Sequence, residues 1–488
     1  MHCSELVIAT NLPPAVEHVS HGYTHEAAST FQVYETFEVS GSAPEMVAAT
    51  EFRKTQKADF LAGDIVNPIL NNCPKFTLEQ TERAGMFQQI VGIVDIQTLR
   101  REDGAEPVLE DEVLDELITL RAGELSFTET AALIADPLTA DEYKPALINL
   151  LKQAGRSLYG LPNQQTAEAM MQRRLIKADT FSQTDDAVVK PIADYVLAHS
   201  PLQPNQNIPA VPRMKADTIA HYQNILKDAC QEDLDYAFAE TGVKDNYTIA
   251  EMKIVADRYL DARGFSANGW TSDIIAGRTA CATNNAHKIL EIGANRNATQ
   301  LTHTRVLQTI MHETEVHIGR QVRGSALASG LAGYGLANYV FFEEPLAGTV
   351  EEVYIGTSQQ RGEQYVMAIA VSAGIDGMER DFRDSFDLLW RMSFVNAYNP
   401  AKDTVWQTEF AQNNAYNALV RIWRGMPTDV PGCVYTKDRA YENSEVISYL
   451  ENDGKRLEAK DFMRLLSAKY DPRNPAQDAY IRSLSTQQ

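Results

Sequence analysis

The chain has 488 residues, 44% of them hydrophobic, enough to bury a large core and to form two or more substructures. A formal net charge of -22 argues against nucleic acid or an anionic membrane surface as the main partner, since both call for clustered Lys and Arg. The five cysteines, Cys3, Cys73, Cys230, Cys281 and Cys433, are odd in number and form no C-x-x-C pair, which argues against a disulfide framework and a cysteine zinc site.

Residues 1–20 lack a basic head followed by an apolar core, so no signal peptide is expected and a cytoplasmic location is inferred. The sequons at Asn246 and Asn297 then carry little meaning. Residues 1–50 are polar and aperiodic, a variable lead in which His18, His21 and His25 read as a solvated cluster rather than a metal site. Residues 51–212 read as a helical region. Leu109, Val113, Leu117 and Ile118 form an apolar stripe, and the acidic residues of 101–145 form its solvated opposite face. A second amphipathic helix spans 141–158 and stops near Gly160 and Pro162. Pro201, Pro204, Pro209 and Pro212 mark a linker.

From 213 to 475 the pattern changes. Helices are predicted over 216–242 and 248–264, and two or three short strands over 270–293, where β-favouring residues alternate. Thr302 or Thr304 caps the next helix, which carries Val306, Leu307, Ile310 and Met311 on one face. Residues 325–342 have transmembrane length, but their Gly, Ala and Ser content predicts a mobile loop instead of a span. Helices return over 376–424. No internal repeat and no phosphate-binding glycine loop occurs.

The helix after the strands contains His312-Glu313-Thr314-Glu315-Val316-His317. Imidazole is a zinc ligand, and a carboxylate beside the ion can serve as general base. The usual H-E-x-x-H places its histidines at i and i+4. Here they stand at i and i+5, about 140° apart on a regular helix at roughly 100° per residue. A π-bulge would bring them together. Glu313 is the expected general base, while Glu315 is expected to face solvent or a supporting partner. A catalytic zinc needs three protein ligands and an open position, and the chain's other histidines offer no convincing third, so a glutamate is expected. Tyr441, Tyr435 and Lys437 are candidate oxyanion donors. Arg424, Lys437 and Arg361 are candidate cations for a substrate carboxylate, and Asp438 is expected to orient Lys437 or a turn.

Three motifs follow one another in order: the H-E-x-x-x-H, then Glu343-Glu344-Pro345-Leu346-Ala347, then Thr436-Lys437-Asp438-Arg439-Ala440-Tyr441. This order, over about residues 280–450, resembles the microtubule-associated tyrosine carboxypeptidases and their bacterial relatives with a QEGLA motif. Leu158-Tyr159-Gly160-Leu161-Pro162 is similar to a further family feature, and Arg424-Gly425 to a basic-Gly pattern. The resemblance implies that Glu344 is the third ligand, with Glu343 and Glu351 as rivals because Pro345 stands where the family has glycine. A proline there is expected to put Glu344 at the start of a helix.

The resemblance also implies an α+β, mostly helical fold: a zincin-like metallopeptidase core with a small sheet beside the metal helix, preceded by a helical region. The expected protein is a Zn²⁺ carboxypeptidase acting on a peptide or protein C-terminus, with metal ligands His312, His317 and Glu344, catalytic Glu313 and Tyr441, and substrate-binding Lys437 and Arg424. Tubulin and aromatic specificity are implied by the family alone, and the net charge opposes acidic tubulin tails. A non-catalytic metal-stabilised peptide-binding module is the alternative, and an aminopeptidase or endopeptidase the third reading.

Overall fold

The computed structural model describes residues 43–70, 109–208, 210–328, 330–358, 362–451 and 455–485. His18, His21, His25, Cys3, Cys73 and Arg361 lie outside these residues. Within them the chain is mostly helical with one small sheet, an α+β architecture. No helix of the described residues is long and apolar enough to cross a membrane.

Two large cores organise the chain. In the first, the helices Gln164–Ser182 and Val189–His199 pack on Phe382–Ala397, joined by Glu363–Ser372 and Thr404–Ile422. In the second, Ala216–Phe238 and Ile249–Ala262 pack with the sheet, the histidine-bearing helix and Val340–Tyr354. The first core crosses the expected boundary near residue 212, because helices on the early side bury their apolar faces against the last third of the chain. The proline-containing segment after His199 is irregular, and Gln172 pins it with bonds to Gln203 and Asn205.

The acidic helix Leu109–Ala135 is only partly solvated. Of the expected stripe Val113 and Leu117 are buried and Leu109 and Ile118 partly so, and Leu114 is buried with them. On the other side, Glu116 receives hydrogen bonds from Asn474 and Gln477, so part of the acidic face is an internal contact.

Strands form where alternation predicts them: β1 (Thr271–Ile275), β2 (Ala282–Asn284) and β3 (Ile289–Gly293). The order is β1-β3-β2, with β3 parallel to β1 and antiparallel to β2. Leu290 and Ile292 turn into the second core. β2 is an edge strand and lies against the histidine-bearing helix.

Residues 325–342 differ from expectation. Leu327, Leu331, Leu336 and Ala337 are buried, and the segment forms a short helix, Leu331–Tyr334, leading into Val340–Tyr354. Glycine allows close contact where this segment meets the helix before it. A Cβ on Gly324 would stand 2.5 Å from the carbonyl oxygen of Ala332, and one on Gly333 2.0 Å from Ser325 Oγ.

Candidate metal centre and its cleft

Thr302 caps the helix His303–Thr309 by accepting a bond from the Arg305 amide. At Ile310 the backbone widens into a π-helix that runs to Ile318, then returns to α-geometry over Gly319–Ser325. In a π-turn the backbone bonds i to i+5, so residues five apart come to the same face. His312 and His317 do so here, with ring centroids 5.0 Å apart.

Buried charge holds this widened segment. Glu315 is fully buried and does not face solvent. It accepts bonds from Tyr259 Oη (3.1 Å) and Arg263 Nε and Nη2 (3.0 and 2.9 Å), and Arg323 pairs with it as well. One carboxylate thereby ties the π-helix to the helix before the sheet and to the turn that follows.

The second half of the centre lies on Val340–Tyr354. The helix begins five residues before Pro345, so Glu344 sits inside it rather than at its start. Proline removes the donor that would reach the Phe341 carbonyl. Arg473 Nη2 reaches that carbonyl at 3.4 Å instead. Glu344 is one of three residues of this helix that are not buried.

One donor atom each from His312, His317 and Glu344 lies within 4.8 Å of the other two. The rival carboxylates stand behind the imidazoles instead. Glu343 Oε1 lies 2.8 Å from His317 Nδ1, and Glu351 Oε2 lies 3.4 Å from His312 Nδ1. The His317 ring is thus oriented through Nδ1, which leaves its Nε2 for a ligand, whereas His312 Nδ1 has the approach of Glu351 but no hydrogen bond. This carboxylate–imidazole arrangement fixes tautomer and direction at metal sites. Two imidazoles and one carboxylate beside a cleft form a donor set that could hold a divalent metal ion.

Glu343 is itself held. Arg320 donates to its Oε2 at 3.0 Å, and Lys469 Nζ lies 3.5 Å from Oε1. Burial alone would raise the Glu343 carboxyl, but Lys469, the His317 bond and Arg320 outweigh it and hold it at about 2. The guanidinium of Arg320 also caps the carbonyls of Ala468 and Tyr470.

Glu313 stands beside His312. Its carboxylate accepts a 2.9 Å bond from Thr283 Oγ on the edge strand β2, and the same hydroxyl lies 3.2 Å from the Glu313 carbonyl.

Tyr441 lines the cleft in front of the centre, a space of about 460 Å³. His312, Glu344, Pro345, Gly348, Tyr365 and Arg305 line it too. Arg421 Nη2 donates to Tyr441 Oη at 2.7 Å, leaving the phenol's own proton to be donated elsewhere. Burial, reinforced by Glu344, raises the Tyr441 hydroxyl above the ordinary tyrosine value, so it stays a phenol. Asp438 accepts from Arg421 at 2.9 Å and so orients Arg421.

The remaining expected residues lie elsewhere. Arg424 pairs with Asp438 at 3.3 Å and covers the Tyr435 ring, outside the cleft lining. Lys437 lines a separate depression with Arg121, Glu124 and Tyr159. Tyr435 is buried between Phe127 and Tyr159, a core residue. His303 is engaged by Tyr247 Oη at 3.1 Å. The cation that does line the cleft, among the described residues, is Arg305. It stands seven residues before His312, and helical spacing from the motif could have found it. Thr283 carries no sequence signal, because strand pairing alone brings it near. Comparison of the chain with family models, with curated proteins and with solved structures gave no match.

Proposed function

We propose that the protein is a zinc-dependent peptidase that removes a residue from the C-terminus of a peptide or protein. The observation that carries this reading is the convergence of His312, His317 and Glu344 donor atoms beside a cleft that His312 and Glu344 line, with Glu313 following His312 on the same π-helix and held by Thr283. When bound, the ion supplies Lewis acidity toward water and toward a peptide carbonyl. His312, His317 and Glu344 would hold it, and Glu343 would keep the His317 imidazole aimed.

Glu313 takes the proton from the attacking water and passes it to the leaving amine. Thr283 steadies that carboxylate. Tyr441 donates its hydroxyl proton to the oxyanion that develops on the scissile carbonyl, with Arg421 fixing the ring from behind. Arg305 offers a guanidinium to the terminal carboxylate. The outer edge of β2 suits an extended peptide added as a strand. Tubulin remains a substrate suggested by resemblance only, and a chain at -22 is repelled by acidic tails.

Two measurements test the reading. Purified protein should carry one zinc per chain, lose peptide hydrolysis with chelator and regain it with zinc. Free-acid peptides should be cleaved and their C-terminal amides should not. Equal cleavage of both forms would exclude a carboxylate-anchored mechanism and leave an endopeptidase or aminopeptidase. A zinc-bearing protein that cleaves no peptide from a C-terminally varied library would be a binding module. Tyr441→Phe should lower kcat by roughly 10²-fold with little change in KM, the size expected for one lost oxyanion donor.

A further inference from the structure

Resting on the hydrolase reading above, we propose that Gly348 sets which substrates fit. By carrying no side chain it keeps the cleft wide enough for a bulky terminal residue.

Every residue of Val340–Tyr354 is buried except Val340, Glu344 and Gly348. These stand four apart and so form one stripe along the helix. Glu344 and Gly348 line the cleft. Glycine is a poor residue for the middle of a helix, because it loses more backbone freedom on folding than alanine does. Something must favour it here.

Packing does not. A Cβ built on Gly348 meets no atom within 4 Å, whereas Gly324 and Gly333 face backbone or side-chain atoms at 2.5 Å and 2.0 Å. Backbone geometry does not either, since Gly348 is not among the glycines of positive φ. What remains is the space itself. Side chains on a helix lean toward its N-terminus, so any side chain at 348 would reach back over the turn that carries Glu344. That is the part of the cleft next to the donor set.

Among mostly polar walls, which include Glu352 and Gln364, one part suits a bulky group. The rings of Tyr365 and Tyr441, with centroids 5.2 Å apart, and the ring of Pro345 line the same space. Arg305 and Asn443 line it as well and supply polar contacts for a terminal carboxylate. The occupant fitted by this arrangement is the last residue of a peptide, its side chain lying across Gly348.

The test is equilibrium binding of N-terminally labelled hexapeptides that differ only in a C-terminal Ala, Leu, Phe or Trp. The full chain is used, zinc-loaded, in a Glu313→Gln background so that peptides are not consumed, with Gly348→Ala and Gly348→Leu compared against Gly348. Gly348→Leu should weaken the Leu, Phe and Trp peptides by on the order of tenfold or more, and leave the Ala peptide within about twofold. Gly348→Ala should fall between, with a melting temperature unchanged or raised, because alanine favours the helix. Equal weakening of all peptides, no weakening of any, or no binding of any peptide at all would overturn the proposal. Size-selective binding without turnover by the wild type would sink the hydrolase reading and keep the subsite. Turnover of every peptide, unchanged by Gly348→Leu, would do the reverse.

Discussion

Glu313→Gln should keep its zinc and its fold but lose hydrolysis by about 10² to 10⁴-fold in kcat, the range for a removed general base. At 1.36 kcal/mol per decade this is roughly 3–5 kcal/mol of transition-state stabilisation. Glutamine preserves the shape of the side chain and an oxygen to accept the Thr283 hydroxyl. It removes only the capacity to take a proton. The donor atoms of the metal centre belong to His312, His317 and Glu344, so zinc stoichiometry should not change. Metal analysis and single-turnover kinetics on the same preparation check both halves. A variant that keeps its zinc and still hydrolyses at wild-type rate would remove Glu313 from the chemistry. One that loses its zinc would make Glu313 a structural neighbour of the site.

Much of this site was legible in the sequence because it is local. Two imidazoles five residues apart cannot share a face of an α-helix, so the spacing itself pointed to a π-turn, and the backbone is π-helical from Ile310 to Ile318. The strands over 270–293 and the Thr302 cap rest on equally local patterns. The division of labour among Glu343, Glu344 and Glu351 was not legible. All three occupy one helix, and which faces the cleft depends on how that helix packs against the π-helix. Pro345 misled the reading of Glu344, since the proline is accommodated inside the helix once Arg473 serves the Phe341 carbonyl.

Non-local partners were the other blind spot. Arg421 and Arg424 lie three residues apart around the end of Thr404–Ile422, and both meet Asp438, but only Arg421 reaches Tyr441. Spacing alone cannot tell which of two such arginines faces a phenol supplied from elsewhere. The same holds for residues 325–342: glycine content suits a mobile loop and a tightly packed turn equally, and the close approaches of Gly324 to Ala332 and of Gly333 to Ser325 decide for the turn.

The buried pairings around Glu343 carry the second large expectation. Glu343→Gln should both weaken zinc binding and destabilise the fold, through separable causes. Supporting carboxylates at metal-ligating histidines are worth about 10–100-fold in metal affinity. The amide of glutamine can still meet His317 Nδ1, but it no longer offers a negative charge to polarise the ring. Stability should fall for a different reason. Arg320 is fully buried and Lys469 nearly so, and both face the Glu343 carboxylate. Removing one member of a buried ion pair leaves an uncompensated charge and costs about 3–5 kcal/mol. Burial already lowers the Lys469 ammonium below the ordinary lysine value despite the carboxylate beside it. Replacing Lys469 by methionine in the Glu343→Gln chain removes one stranded cation, so thermal stability should partly recover while zinc affinity stays weak. Two readouts on the four members of this cycle, apo-protein melting and competitive zinc titration, separate the effects. Recovery of zinc affinity together with stability would mean that the centre is loosened only by general unfolding, and that Glu343 does not orient His317.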